Sequence, residues 1–360
     1  MFDQNTQADN AIGEVVNQIA AEPGVIAILL AGSRAKSTAW PGSDVDLLVI
    51  VEEGPSRQDT FEVGGLGFDI YRDTLQGLEA RMAADGIACH AYLKLVPLVG
   101  GEEWKRRLEK IARRIYAGHM PGPEELQKMQ EVVRSATRSL RTALGGTDRV
   151  AQAVAGGDLV WISARVCLGM VGIGPLREVE WHDALRKAAL PFDAATPFAR
   201  WHTGDGLEER LRAAITLAEL ALGESIEEVS PPAEPESPPP EWKRRPALSS
   251  AKIAEMRGQV LYGLGKFEKA VWSGDVVRQA LEAAVIVWFA VPACLALTGI
   301  APPPHRWWQA ALRQAELPFD AAALHARALT GETLAERTTA AVELGRLTLD
   351  ALDQASEVLK

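Results

Sequence analysis

The hydrophobic pattern of the chain changes character near residue 122. Before it, short apolar runs alternate with polar turns. Val25 to Ala31 and Leu47 to Val51 are continuous runs of Val, Ile, Leu and Ala, bounded by Gly and Pro. Runs of that length and composition predict buried strands. Phe61 to Tyr71 alternates and predicts a third strand, and Cys89 to Val99 a fourth. Ala8 to Ala21 carries Ile12, Val15, Val16 and Ile19 at helical spacing. Thr74 is placed to cap a helix that Asp85-Gly86 stops, and Glu102 to Tyr116 reads as a charged amphipathic helix. The breaker Pro121-Gly122-Pro123 closes this region.

Beyond it the strand signals vanish and an internal repeat emerges. WHDALRKAALPFD, starting at Trp181, recurs as WQAALRQAELPFD from Trp308. The match extends through Thr203-Gly204 and Thr330-Gly331 to Arg210 and Arg337. Upstream, Gly157-Asp158 aligns with Gly274-Asp275 at a slightly shorter offset, which makes both aspartates candidate helix caps. Asp193 and Asp320, each before an Ala-rich helix, are candidate caps too. Ser230 to Pro246, rich in Pro and acids, predicts an extended linker. The expected fold class is α+β: a small mixed-sheet domain (1–122), then two homologous all-α bundles (123–226 and 248–360) joined by a Pro-rich linker (227–247).

Two acids interrupt the apolar pattern at its most buried place. Asp44 and Asp46 open the second strand, and alternation puts them on one face. Side-by-side carboxylates repel, and a divalent cation between them removes the repulsion. An all-oxygen donor set suits Mg²⁺ or Mn²⁺. Gly32-Ser33 ends the first strand at a strand-to-helix turn, whose backbone N–H groups suit an anion.

Gly-Ser, ten residues, then Asp-x-Asp before an apolar run resembles the signature of the nucleotidyltransferase (DNA polymerase β-like) superfamily. The family adds a third carboxylate on a nearby strand, and Asp69 in Phe68-Asp69-Ile70-Tyr71 fits. The resemblance implies a mixed sheet with helices on one side. It implies Asp44, Asp46 and Asp69 as metal-binding catalytic carboxylates. Gly32 and Ser33 would meet the donor's phosphates, with Arg34, Lys36 and Lys94 as cations for the triphosphate. The co-substrate would be ATP or another nucleoside triphosphate, and the product a nucleoside monophosphate ester of a hydroxyl. The helical half resembles aminoglycoside-type antibiotic nucleotidyltransferases in architecture only. Glu178, Glu180 and Asp183 are its candidates for an acceptor-side base. Two rivals stand beside a small-molecule acceptor: modification of a protein hydroxyl, and a silent nucleotide-binding scaffold.

Bulk composition narrows the partners. The 360 residues are 47% hydrophobic and carry a formal net charge of −10. That balance disfavours a nucleic-acid backbone as substrate and suits a cationic acceptor. The longest apolar run, Ala283 to Leu297, is broken by Pro292 and is too short for a membrane span. Three cysteines without metal-ligand spacing and a polar N-terminal stretch point to a reducing cytoplasm. The helical copies offer a surface for homodimerisation.

Overall fold

A computed structural model describes residues 4–35, 44–64, 66–84, 89, 92–118, 120–174, 176–226 and 248–358. These divide into two compact units. One comprises Met1–Pro121 with Gly172–Arg177, the other Gly122–Val171 with Glu178–Lys360.

The first unit is built on a five-stranded sheet of order β3-β4-β2-β1-β5. The strands are β1 (Val25–Leu30), β2 (Val45–Val51), β3 (Arg57–Val63), β4 (Leu66–Asp73) and β5 (Val96–Val99). β2 and β4 run parallel and every other pair is antiparallel, so the sheet is mixed. The alternating stretch expected to form one strand is instead a β3–β4 hairpin. Gly64 (φ 61°) permits its turn. Strand β5 is shorter than expected. The Leu95 amide donates to Glu109 Oε1 (3.0 Å) rather than to a neighbouring strand, and the Leu95 side chain is buried.

Helices cover both faces of the sheet rather than the one side expected. Val15, Val16 and Ile19 of α1 (Gln4–Ala20) pack on Ile28, Leu47, Val49, Phe68 and Ile70. The opposite face, with Leu29, Leu48 and Ile50, meets Leu78 and Met82 of α3 (Leu75–Ala84) and Leu108 and Ala112 of α4 (Glu102–Gly118). The continuous apolar run of β2 follows from this double burial, since neither face needs polar residues. Thr74 Oγ1 accepts from the Gly77 amide (3.1 Å) and starts α3.

The elements of the second unit are all helices among its described residues. Its first half contains α5 (Pro123–Leu144), α6 (Arg149–Met170), α7 (Glu178–Lys187), α8 (Ala195–Thr203) and α9 (Leu207–Leu222). Its second contains α10 (Ser250–Ser273), α11 (Val276–Leu297), α12 (Trp308–Leu312), α13 (Ala321–Thr330) and α14 (Leu334–Val358). One shift of 127 positions takes the starts of α5, α6 and α9 to those of α10, α11 and α14 (123 to 250, 149 to 276, 207 to 334). The same shift pairs Gln152 with Gln279, Trp161 with Trp288 and Cys167 with Cys294.

The shorter upstream offset is therefore corrected. Asp275 caps α11, accepting from the Arg278 amide, and its counterpart is Asp148, which caps α6 by accepting from Val150 and Ala151. Asp158 lies inside α6 and caps nothing; its carboxylate meets His305 Nε2 at 2.7 Å. Asp193 and Asp320 do act as caps, accepting from the Thr196 and Ala323 amides.

The halves pack against each other reciprocally. Arg210 donates to Leu329 O (2.7 Å), while Arg337, its counterpart, donates to His202 O (3.2 Å), the counterpart of Leu329. Mutual contacts of this kind are those of a two-fold interface. Both guanidinium groups are buried and satisfied by carbonyls. Helices α6 and α11 are long and apolar enough to cross a membrane, but 61% and 67% of their apolar windows are buried inside the unit. The Ala283 to Leu297 run is the greater part of α11.

Candidate active site

The site lies at one end of the β4-β2-β1 row, where two strand residues, the residue before β2 and one turn converge. Asp46, second residue of β2, pairs in register with Asp69 of the parallel neighbour β4. Adjacent strands stand about 4.8 Å apart, so the two carboxylates rise side by side from one face. Asp44 precedes β2 on the same face. Its Oδ1 would sit 3.1 Å from a Cβ built on Gly67 of β4. Asp44, Asp46 and Asp69 are all partly exposed, in contrast to the buried Val45, Leu47, Phe68 and Ile70 between them. Alternation thus anchors the strands through one set of residues and presents the acids through the other.

The turn after β1 is shaped around Asp46. The Ala31 amide donates to Asp46 O (2.8 Å), tying the end of β1 to the acid. Gly32 follows with φ 66°, a conformation that disfavours a Cβ, and a Cβ there would lie 1.8 Å from Asp46 Oδ2. No residue but glycine lets the carboxylate keep this place. Gly32, Ser33 and Arg34 belong to α2 (Gly32–Ala35), a single helical turn.

Two features were not singled out from the sequence. Thr60 of β3 faces Asp69 across the antiparallel hairpin, and its Oγ1 donates to Asp69 Oδ1 (2.8 Å). One carboxylate oxygen is thereby fixed. Tyr71, two residues further along β4, shares the face of Asp69. The Arg81 guanidinium lies 4.3 Å over its ring, and Gln58 Nε2 donates to its hydroxyl (3.0 Å). Burial raises the Tyr71 phenol and the nearby Asp69 charge adds to this, while Arg81 opposes both. Tyr92 is pushed up to about 12, chiefly by burial. Neither phenol is a base near neutral pH. The signal for Thr60 and Arg81 was absent from the sequence, because strand pairing and helix packing create both contacts.

Other expected residues fall elsewhere. Lys94 is exposed in the bend before β5 and not within a strand, so the expectation of a strand-borne cation is corrected. Lys36 lies outside the described residues. Glu178 accepts from Trp161 Nε1 (2.5 Å), and Asp183 pairs with Arg186 (3.6 Å) on an exposed face. Among the described residues, no group of three His, Cys, Asp or Glu side chains gathers closely enough to hold a metal ion. The acids are aligned rather than drawn together. Their all-carboxylate donor set fits a hard divalent cation and not zinc or copper.

A family model described as "Nucleotidyltransferase domain" matches residues 12–87, the segment that carries the second half of α1, β1 to β4 and all three carboxylates. Among solved structures, the chain is similar to a nucleotidyltransferase-like protein from Exiguobacterium sibiricum 255-15. Identity is 17%, coverage is 60% of this chain and 74% of that one, and the TM-score is 0.31. No curated protein matches. With its sheet, its Gly-Ser turn and its row of acids, the segment 12–87 matches a nucleotidyltransferase domain.

Proposed function

We propose that the enzyme moves a nucleoside monophosphate, AMP from ATP, to a hydroxyl of a small cationic molecule of the aminoglycoside type, in the cytoplasm. The observation that carries the reading is the register match of Asp46 with Asp69, beside a glycine whose missing side chain makes room for Asp46. The acceptor oxygen bonds to the α-phosphorus as the bond to pyrophosphate breaks, and the hydroxyl proton leaves. Asp44, Asp46 and Asp69 would hold Mg²⁺ or Mn²⁺. Such a cation supplies charge neutralisation at the transferring phosphoryl group. Asp69, held by Thr60, orients the acceptor side and favours loss of the hydroxyl proton. Gly32 and Ser33 receive the β- and γ-phosphates, and Arg34 and Lys94 are the candidate cations for them. Most of the rate gain comes from positioning and charge complementarity, since no side chain here is a covalent nucleophile.

The acceptor class follows from charge. A formal net charge of −10 draws cations and repels polyanions. The test is pyrophosphate release with ATP, Mg²⁺ and a panel of aminoglycosides, for the wild type, Asp46→Asn and Asp69→Asn. Release by the wild type alone, with a mass gain of one AMP on the acceptor, is the expected result. Label from ATP moving instead to a protein would replace the small-molecule acceptor, and nucleotide binding without release would make the site a silent one.

A further inference from the structure

The first helical half contains a groove of about 860 Å³ between α7, α8 and the loop that joins them. Its polar lining is His182, Arg186, Asp193, Thr196, Arg200 and Thr203, over an apolar floor that includes Leu190 and Phe192. Asp193 is the one carboxylate among the lining residues, and it is engaged as the α8 cap, accepting from the Thr196 amide (3.0 Å). Among the described residues, Arg186 pairs with the exposed Asp183, a type of pair that contributes little. Among the described residues, no carboxylate lies within ion-pair distance of Arg200.

The second half offers a comparison, because it holds the corresponding positions with different partners, on a 3-10 turn (His305–Trp307) and the short α12 in place of α7. Arg186 corresponds to Arg313, Arg200 to Arg327 and His182 to Gln309. There, Gln309 is used structurally: its Nε2 donates to Ala322 O (3.1 Å), and its Oε1 accepts from His325 Nδ1 (2.6 Å). Arg327 faces Glu343 (4.0 Å). In the first half Thr216 replaces that glutamate, and His182 stacks on Phe198 instead of bonding across to α8. Beside this groove, a threonine stands where the second half has the acid facing its arginine, and a histidine where it has the bonded amide.

We propose that this groove binds a small phosphate-bearing ligand of nucleotide size. The volume is in the range of small-molecule sites. Two guanidinium groups on different helices, with the Thr196 hydroxyl and the His182 imidazole, offer donors from several directions. A tetrahedral phosphate can accept from all of them, whereas a planar carboxylate accepts mainly in its own plane. The apolar floor takes the organic part. The site does not depend on the transfer reaction proposed above, and its test is kept apart from it.

AMP is titrated calorimetrically into the full chain carrying Asp46→Asn and Asp69→Asn, with chelator present, so that the carboxylate site does not contribute. Saturable binding is expected at millimolar concentration. Adding Arg186→Ala and Arg200→Ala should weaken it by about tenfold or more, since two charge-assisted contacts are removed. Adding Arg313→Ala and Arg327→Ala instead should leave it unchanged. Adenosine, which lacks the phosphate, should bind at least about tenfold more weakly than AMP. No saturable heat with AMP, equal losses from the two arginine pairs, or equal binding of adenosine or citrate would overturn the proposal. All four arginines are exposed, and an unchanged thermal midpoint separates lost binding from lost folding.

Discussion

Replacing Gly32 by alanine tests whether the turn after β1 exists to seat Asp46. Two costs arise, and they can be separated. The φ of 66° costs an L residue about 1–2 kcal/mol of stability. The second cost is local, because the new Cβ would lie 1.8 Å from Asp46 Oδ2. To restore an ordinary contact the carboxylate must withdraw by roughly 1.5 Å, and misplacement by ~1 Å can lower a rate on the order of 10²-fold. That loss is about 2.7 kcal/mol in the barrier. Gly64→Ala supplies the matched control. Gly64 has φ 61° in the β3–β4 turn, and a Cβ there meets nothing within 4 Å. Both variants should lose about the same stability, read as the thermal midpoint of unfolding. Only Gly32→Ala should lose pyrophosphate release, by about a hundredfold relative to Gly64→Ala. Equal activity of the two variants would refute the argument that Gly32 makes room for a catalytic carboxylate.

Two further outcomes follow from contacts the sequence did not reveal. Thr60→Val removes the donor that fixes Asp69 Oδ1, and an exposed hydrogen bond of this kind is worth about 1 kcal/mol, so the turnover rate should fall roughly fivefold while the thermal midpoint drops by no more than about 4 °C. His325 is buried, with its pKa lowered to about 4 by burial. The unfolded chain takes up a proton near pH 6.5 that the folded chain refuses, so stability is lost as pH falls. Between pH 7 and pH 5 this one group should cost about 2 kcal/mol. His325→Phe, the residue its counterpart Phe198 already has, should flatten that part of the pH dependence in denaturant melts. An unchanged slope would mean that His325 titrates alike in the folded and unfolded chain.

The first strands and their acids were legible because burial on both faces leaves a signal in one stretch of chain. Val25 to Ala31 and Leu47 to Val51 are apolar without alternation, so Asp44 and Asp46 stand out against them. In the helical half a segment of thirteen residues recurs with nine positions identical, a match that a local comparison finds. It failed upstream, where Gly-Asp recurs by coincidence at Gly157-Asp158. There the true counterpart of Asp275 is Asp148, and the cap bonds identify it. The hairpin within 57–73 was missed because Gly64 was read as part of an alternating run.

By itself, the sequence determined the α+β order, the acid pair at one strand and the glycine turn. Each is a property of neighbours along the chain, set by side-chain alternation or helical period. Tertiary structure alone decided that Asp69 stands beside Asp46, that Thr60 holds it, and that Gly32 has no space for a side chain. It also decided that Arg210 and Arg337 cross between the two halves. Strand register and helix packing bring those groups together across long separations, and register depends on every pair along a strand at once, which no local pattern records.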